Sequence, residues 1–176
     1  MRPSPVLPAL TALLGACATV SPQTPAATAV LRTANGAQVG TVIARPMDRG
    51  VHVTIAAKGM PPGVHGVHIH AVGKCDAPDF ASAGGHWNPG ATKHGTNSVS
   101  GSVSGRGPGH AGDLPNLTIA ADGRGTLDTH APSGTFADML DADGAAFVVH
   151  AAADDLMTDP SGNSGARIAC GVFARN

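Results

Sequence analysis

Apolar and polar residues alternate along much of this chain with a period of two, the pattern of strands that bury one face. Val51 to Ala57 is the clearest case, with Val51, Val53 and Ile55 on one face and His52 and Thr54 on the other. Ala29 to Thr33 and Gln38 to Arg45 flank Ala34-Asn35-Gly36-Ala37, whose Asn-Gly pair suits a tight hairpin. Val64 to Val72 is a longer β-branched run. Leu117 to Ala121 and Gly125 to Thr129 flank a second hairpin signal at Ala121-Asp122-Gly123-Arg124. Ala145 to Ala151 is continuously apolar, and Ile168 to Ala174 closes the chain. No segment sustains a helical period. Eight short strands predict an all-β fold, an antiparallel sandwich or barrel.

One stretch interrupts the pattern. Gly73 to Pro115 runs for more than forty residues without periodicity, and a loop of that size in a compact domain is either disordered or functional. Its Asn97 to Gly109 portion is low-complexity Gly/Ser, whereas its flanks carry His86, His94, His110 and Asp113. The order missing there is expected to come from metal ligation. His68 and His70 sit two apart on a predicted strand, so they project from one face roughly 7 Å apart at the backbone. Their imidazoles can converge on one ion at about 2 Å per bond. Gly-rich chain around His86 and His94 can fold back toward that face.

With 176 residues the chain reads as one domain, and aromatics at 3% leave its core to Val, Ile, Leu and Ala. A net charge of −1 with 13% charged residues leaves no basic surface for nucleic acid. The N-terminus is a targeting segment: Arg2 precedes a short apolar run from Val6 to Leu14. Leu14-Gly15-Ala16-Cys17 resembles the lipobox of bacterial lipoproteins, in which the cysteine is lipidated and anchors the chain to a membrane. The alternative is cleavage after Ala16-Cys17-Ala18, which discards Cys17. Residues 1–18 are thus a signal segment, 19–28 a Pro/Thr/Ala tether and 29–176 the domain. Either route exports the chain to the periplasm, where disulfides persist. Removing Cys17 leaves Cys75 and Cys170 as a natural pair, with two separate buried thiols as the other possibility.

Seven motifs then occur in one order: His68-Ile69-His70, Gly85-His86-Trp87-Asn88-Pro89, Lys93-His94-Gly95, Gly109-His110-Ala111-Gly112-Asp113-Leu114, Val149-His150, Ala153-Asp154-Asp155-Leu156 and Ala166-Arg167-Ile168-Ala169-Cys170-Gly171. In this the chain resembles the copper/zinc superoxide dismutases over nearly all of its length after residue 28. The resemblance implies an eight-stranded Greek-key fold with two long functional loops. It implies copper held by His68, His70, His86 and His150, and zinc held by His86, His94, His110 and Asp113, with His86 shared. It also implies Arg167 as the residue that docks the superoxide anion, and Asp154 as the carboxylate bridging His68 and His94. The donor chemistry agrees, since an imidazole set suits redox-active copper and three histidines with a carboxylate suit zinc.

His65 has the opposite strand parity to His68 and His70 and is expected to be structural. His52 alternates to an outer face, His130 is expected in a turn before Pro132, and Asp155 is expected to be a solvated loop residue. The Asn97 to Gly109 insertion lengthens the path between His94 and His110. Between Asp154 and Arg167 there is no lysine to steer an anion, which predicts weak salt dependence. Two rival readings are a periplasmic copper-buffering lipoprotein without turnover and a metal-free structural sandwich. Oligomeric state is not legible.

Overall fold

The computed structural model describes residues 26–96 and 109–176. The signal segment with Cys17, most of the tether and nearly all of the Asn97 to Gly109 insertion lie outside the described residues. Among the described residues ten strands form in chain order: β1 (Ala27–Arg32), β2 (Gln38–Pro46), β3 (Val51–Ala57), β4 (Gly63–His65), β5 (Val67–His70), β6 (Leu117–Ile119), β7 (Gly125–Ala131), β8 (Ala146–His150), β9 (Arg167–Val172) and β10 (Ala174–Arg175). Ala27 and Thr28, expected in the tether, already pair with Ala44 and Ile43 of β2.

Antiparallel pairing runs β5-β8-β9-β1-β2-β3-β7, with β10 beside β1, and β4 pairs with β6 separately. The alternating faces of the predicted strands point inward as expected. Ala27, Ala29, Leu31, Val42, Ala44, Val51, Val53 and Ile55 are fully enclosed and share one core with Leu117, Phe147 and Val149. With roughly 1.5–3 kcal/mol per buried aliphatic side chain, this core holds the sheet in its curled shape. Asn35-Gly36 makes the β1–β2 turn, Gly36 taking φ 84° and Thr33 N–H donating to Ala37 O at 3.0 Å.

Three runs differ from the sequence expectation. Val64 to Val72 divides at Gly66, whose N–H donates to Ala152 O at 2.8 Å and whose oxygen accepts from His150 N–H at 2.9 Å. A side chain there would meet Ser164 Oγ at 2.5 Å, so the chain crosses between sheets where only glycine fits. The turn after β6 forms, with Ala120 N–H donating to Arg124 O at 2.8 Å. It joins two sheets instead of closing a hairpin, because β6 pairs with β4 and β7 with β3. The last run breaks at Phe173, whose N–H turns to Ala145 O at 3.0 Å. His130 lies on β7 opposite His52, not in a turn. A one-turn helix, α1 (Phe136–Met139), is capped by Thr135 Oγ1, which accepts from Asp138 N–H at 3.1 Å; it is too short to leave a periodic signal.

β5 is an edge of the large sheet, and the first long loop lies along it. Trp87 N–H donates to Ile69 O at 2.8 Å, Ile69 N–H to Gly112 O at 2.9 Å, Gly112 N–H to Trp87 O at 2.8 Å and Ala71 N–H to Gly85 O at 3.0 Å. The described part of that loop is therefore ordered by main-chain pairing as well as by any ion it holds. The loop covers an edge that would otherwise present unpaired backbone groups. Cys75 and Cys170 are joined in a disulfide with their Cα atoms 5.7 Å apart, which ties the start of this loop to β9.

Candidate metal centre

His68 and His70 project from the same side of β5, and His150 ends the neighbouring β8. A bridge between His70 and His86 brings the first loop to the same point. Each ring is fixed from outside. His68 Nε2 meets Asp154 Oδ2 at 2.6 Å, His70 Nδ1 donates to Gly84 O at 2.9 Å and His150 Nδ1 donates to Gly165 O at 3.1 Å. His86 Nδ1 meets Asp113 Oδ1 at 2.8 Å. The opposite nitrogens, His68 Nδ1 and the Nε2 atoms of His70, His86 and His150, are buried without a hydrogen-bond partner. These four side chains offer ligand atoms that all lie within 4.8 Å of one another.

Orphaned buried polar atoms are costly, so four of them facing one point need a common partner. Burial, reinforced by the nearby His86, pushes His70 down to about 2. Burial likewise pushes His68 and His150 down to about 4, partly offset by Asp154 at His68 and by Gly165 O at His150. The three rings are neutral at physiological pH and keep a lone pair for an ion.

A second convergence adjoins the first. Asp113 Oδ1 lies 3.1 Å from His94 Nδ1 and 3.2 Å from His110 Nδ1, in addition to His86 Nδ1. Asp113 Oδ2 accepts the N–H groups of Gly95 at 3.0 Å and His110 at 2.8 Å. Despite burial, the bonds from His86, His94 and Gly95 hold the Asp113 carboxyl well below the usual carboxylate range. The set converging within 4.8 Å here is His68, His86, His94 and Asp113. His68 enters it because the two pockets share a wall. His110 stands at its edge, its Nδ1 3.3 Å from His86 Nδ1 and its ring 5.5 Å from that of His94. Burial opposes a charge on His94, but Asp113 and Asp154 outweigh it and raise that ring to about 9.

Asp154 joins the two halves. Its Oδ1 lies 3.0 Å from His94 Nε2 and accepts Leu156 N–H at 2.6 Å, while Oδ2 faces His68. Three residues that support Asp154 or its partner His94 carry no sequence signal. Asn116 clamps the Asp154 main chain, Oδ1 accepting its N–H at 2.8 Å and Nδ2 donating to its oxygen at 2.9 Å. Gly162, at φ 61°, packs its main chain against the Asp154 carboxylate and His94 Nε2, leaving no room for a side chain. Asp159 Oδ1 accepts the His94 N–H at 2.7 Å. Asp155 is exposed as expected but is not merely solvated. It accepts from Met157 N–H at 2.9 Å, Thr158 N–H at 2.8 Å, Thr158 Oγ1 at 2.6 Å and Asn163 Nδ2 at 2.9 Å, organising the second loop.

Arg167 begins β9 and donates through Nη1 to Phe80 O and through Nη2 to Gly84 O, both at 2.7 Å. It lines a cavity of about 420 Å³ with Pro78, Asp79, Ala81, Gly165 and Ala166, and Gly84 O, which it grips, also accepts from His70 Nδ1. The remaining histidines stand apart from both convergences. His65 Nδ1 lies 2.8 Å from His150 O and Nε2 lies 2.9 Å from Pro61 O, which fits a structural residue. His52 Nε2 meets Asp128 Oδ1 at 2.8 Å on the outer face. The residues present fit two ions: an imidazole pocket for copper, and a mixed imidazole and carboxylate pocket for zinc.

A family model described as copper/zinc superoxide dismutase (SODC) matches residues 38–173. The superoxide dismutase-like protein YojM of Bacillus subtilis is 45% identical over 135 residues, 73% of this chain and 65% of that protein. The copper/zinc superoxide dismutase of Caulobacter vibrioides is 41% identical over 154 residues, 84% of each chain. Among solved structures, a SOD-like protein from B. subtilis matches with TM-score 0.72 at 41% identity, over 84% of this chain and 97% of that one. The Cu/Zn superoxide dismutase from Brucella abortus matches with TM-score 0.69 at 31% identity, over 85% and 99%. The chain belongs to the copper/zinc superoxide dismutase family, oxidoreductases whose cofactors are copper and zinc.

Proposed function

We propose that the chain converts two superoxide anions and two protons to oxygen and hydrogen peroxide. In this reading His68, His70, His86 and His150 hold copper, and His86, His94, His110 and Asp113 hold zinc. Copper bound there supplies one-electron chemistry by alternating between two oxidation states, whereas zinc has a single state and supplies charge and geometry. His86 offers one ring nitrogen to each pocket, and its buried Nε2 would be placed to hold and hand over the proton that peroxide needs. Arg167 keeps its charge and its planar fork of donors at the mouth, and draws the anion to the pocket. Asp154 fixes the orientation of His68 and His94 together, coupling the two halves.

The observation that carries this reading is the set of buried, unpartnered ring nitrogens aimed at two adjoining points. A copper-buffering protein needs neither Arg167 at the mouth nor a shared His86. Superoxide removal by the metal-loaded chain, beside His150→Ala and Arg167→Ala variants, tests it. Dismutation predicts activity that falls steeply in both variants, with copper retained in Arg167→Ala. Copper bound without turnover in the parent chain would support buffering instead.

Export behind the 1–18 leader, a tether that ends before β1 and lipidation of Cys17 belong to the same proposal. Among the described residues no helix is long and apolar enough to cross a membrane, and the lipid would be the anchor. The mass of the mature N-terminus tests this: an acylated Cys17 supports it, and a chain starting at Thr19 refutes the anchor.

A further inference from the structure

The second loop carries a carboxylate that the reading above does not use. Asp159 is half exposed, yet its Oδ1 accepts the His94 main-chain N–H at 2.7 Å and lies 3.9 Å from His110 Nε2. Together with Asp154 it holds His94 from the same loop at two points. Asp154 takes the outer ring nitrogen and Asp159 the backbone, which leaves Nδ1 directed at Asp113. At His110 the geometry is complementary. Nδ1 faces Asp113 and His86, so Nε2 is the outer nitrogen, and the charge it faces is Asp159. A ring that binds a cation through one nitrogen becomes a stronger donor through the other, and a carboxylate beside that donor favours the bound state.

We infer that Asp159 is a positioning residue of the zinc half-site, anchoring the backbone of His94 and presenting negative charge to the outer face of His110. The inference deepens the two-metal reading and rests on it. Because Asp159 belongs to the second loop and both histidines to the first, seating the second loop and capturing zinc are coupled. Linkage makes the coupling reciprocal: whatever the seated loop adds to zinc affinity, zinc adds to the seating of the loop.

The test uses the full chain, zinc ions and a competing chromogenic chelator, with copper affinity measured in parallel. Asp159→Ala is expected to weaken zinc binding by about 10–100-fold, the usual effect of losing an outer carboxylate. Asp159→Asn is expected to lose less, since its amide oxygen still accepts the His94 N–H. Copper affinity stays within about twofold in both variants. Hydrogen exchange supplies the readout that a merely structural role would not move: zinc slows amide exchange across residues 155–164 in the parent chain and fails to do so in Asp159→Ala. Zinc affinity of Asp159→Ala within twofold of the parent overturns the inference, as does an equal loss of copper and zinc, which would report general loosening. A parent chain that binds no zinc overturns the two-metal reading and this inference with it.

Discussion

Gly162→Ala is the sharpest perturbation the second loop offers. At φ 61° an alanine sits in the left-handed region, which costs about 1–2 kcal/mol. Its Cβ would overlap the Asp154 carboxylate and lie 2.8 Å from His94 Nε2. Relief requires Asp154 to swing away, weakening bonds of 2.6 Å to His68, 3.0 Å to His94 and 2.6 Å to Leu156 N–H. Hydrogen bonds to a charged group contribute roughly 1.5–3 kcal/mol each. Losing one of the three outright, on top of the strain, predicts a destabilisation of roughly 2.5–5 kcal/mol. In an Asp154→Ala background the carboxylate is already gone, so the same substitution costs the strain, about 1–2 kcal/mol, and the smaller displacement of His94 Nε2. The double-mutant cycle should therefore show a coupling of roughly 1.5–3 kcal/mol. The assay is urea unfolding of the metal-free chain followed by fluorescence of Trp87, its one tryptophan, which is buried beside His86. Equal costs of Gly162→Ala in both backgrounds would refute the argument that it acts through Asp154.

Three further outcomes are expected. Cys75→Ser, which opens a loop spanning 95 residues, should lower stability by up to about 4–5 kcal/mol in denaturant unfolding, with the same shift in Cys170→Ser. Rates of superoxide removal should fall only gently with ionic strength, since Asp79 lies beside Arg167 at the mouth and no lysine stands between Asp154 and Arg167. Asp79→Asn should raise the low-salt rate about two- to threefold, and a steep salt dependence in the parent chain would contradict this. Thr158 chiefly, with Met157 N–H and Asn163, holds the exposed Asp155 carboxyl at about 2 against an ordinary 3.8. A depressed folded value stabilises above the ordinary one and is lost as pH falls from 3.8 toward 2. Proteolysis of the second loop by an acid protease should accelerate across that window and lack the step in Asp155→Asn.

The strands and the paired histidines of β5 were legible because both are written at short range. Val51, Val53 and Ile55 reveal a buried face by alternation, and His68 and His70 reveal a shared direction by the same period. Gly66 was not legible as a break, since nothing local distinguishes it from other glycines in β-branched runs. Its need for a bare backbone comes from Ser164, far along the chain. Asn116 and Asp159 escaped for the same reason. Their partners, Asp154 and His94, lie 38 and 65 residues from Asn116 and Asp159 respectively, and no periodicity spans such gaps. Asp154 was recoverable only because its motif matched a family. The pairing of β6 with β4 was hidden by a turn whose local chemistry is that of a hairpin, while the strand on either side pairs elsewhere, β6 with β4 and β7 with β3.

The cystine and the guanidinium of Arg167 meet in one short segment. Cys75 begins it, and the oxygens of Phe80 and Gly84 that grip the arginine lie within the next ten residues. A chain held in a reducing compartment would keep its histidines but leave that segment slack, with the arginine free to wander from the mouth. The redox state of Cys75 and Cys170 thus reaches, through a few residues of main chain, the position of a charge that neither sulfur touches.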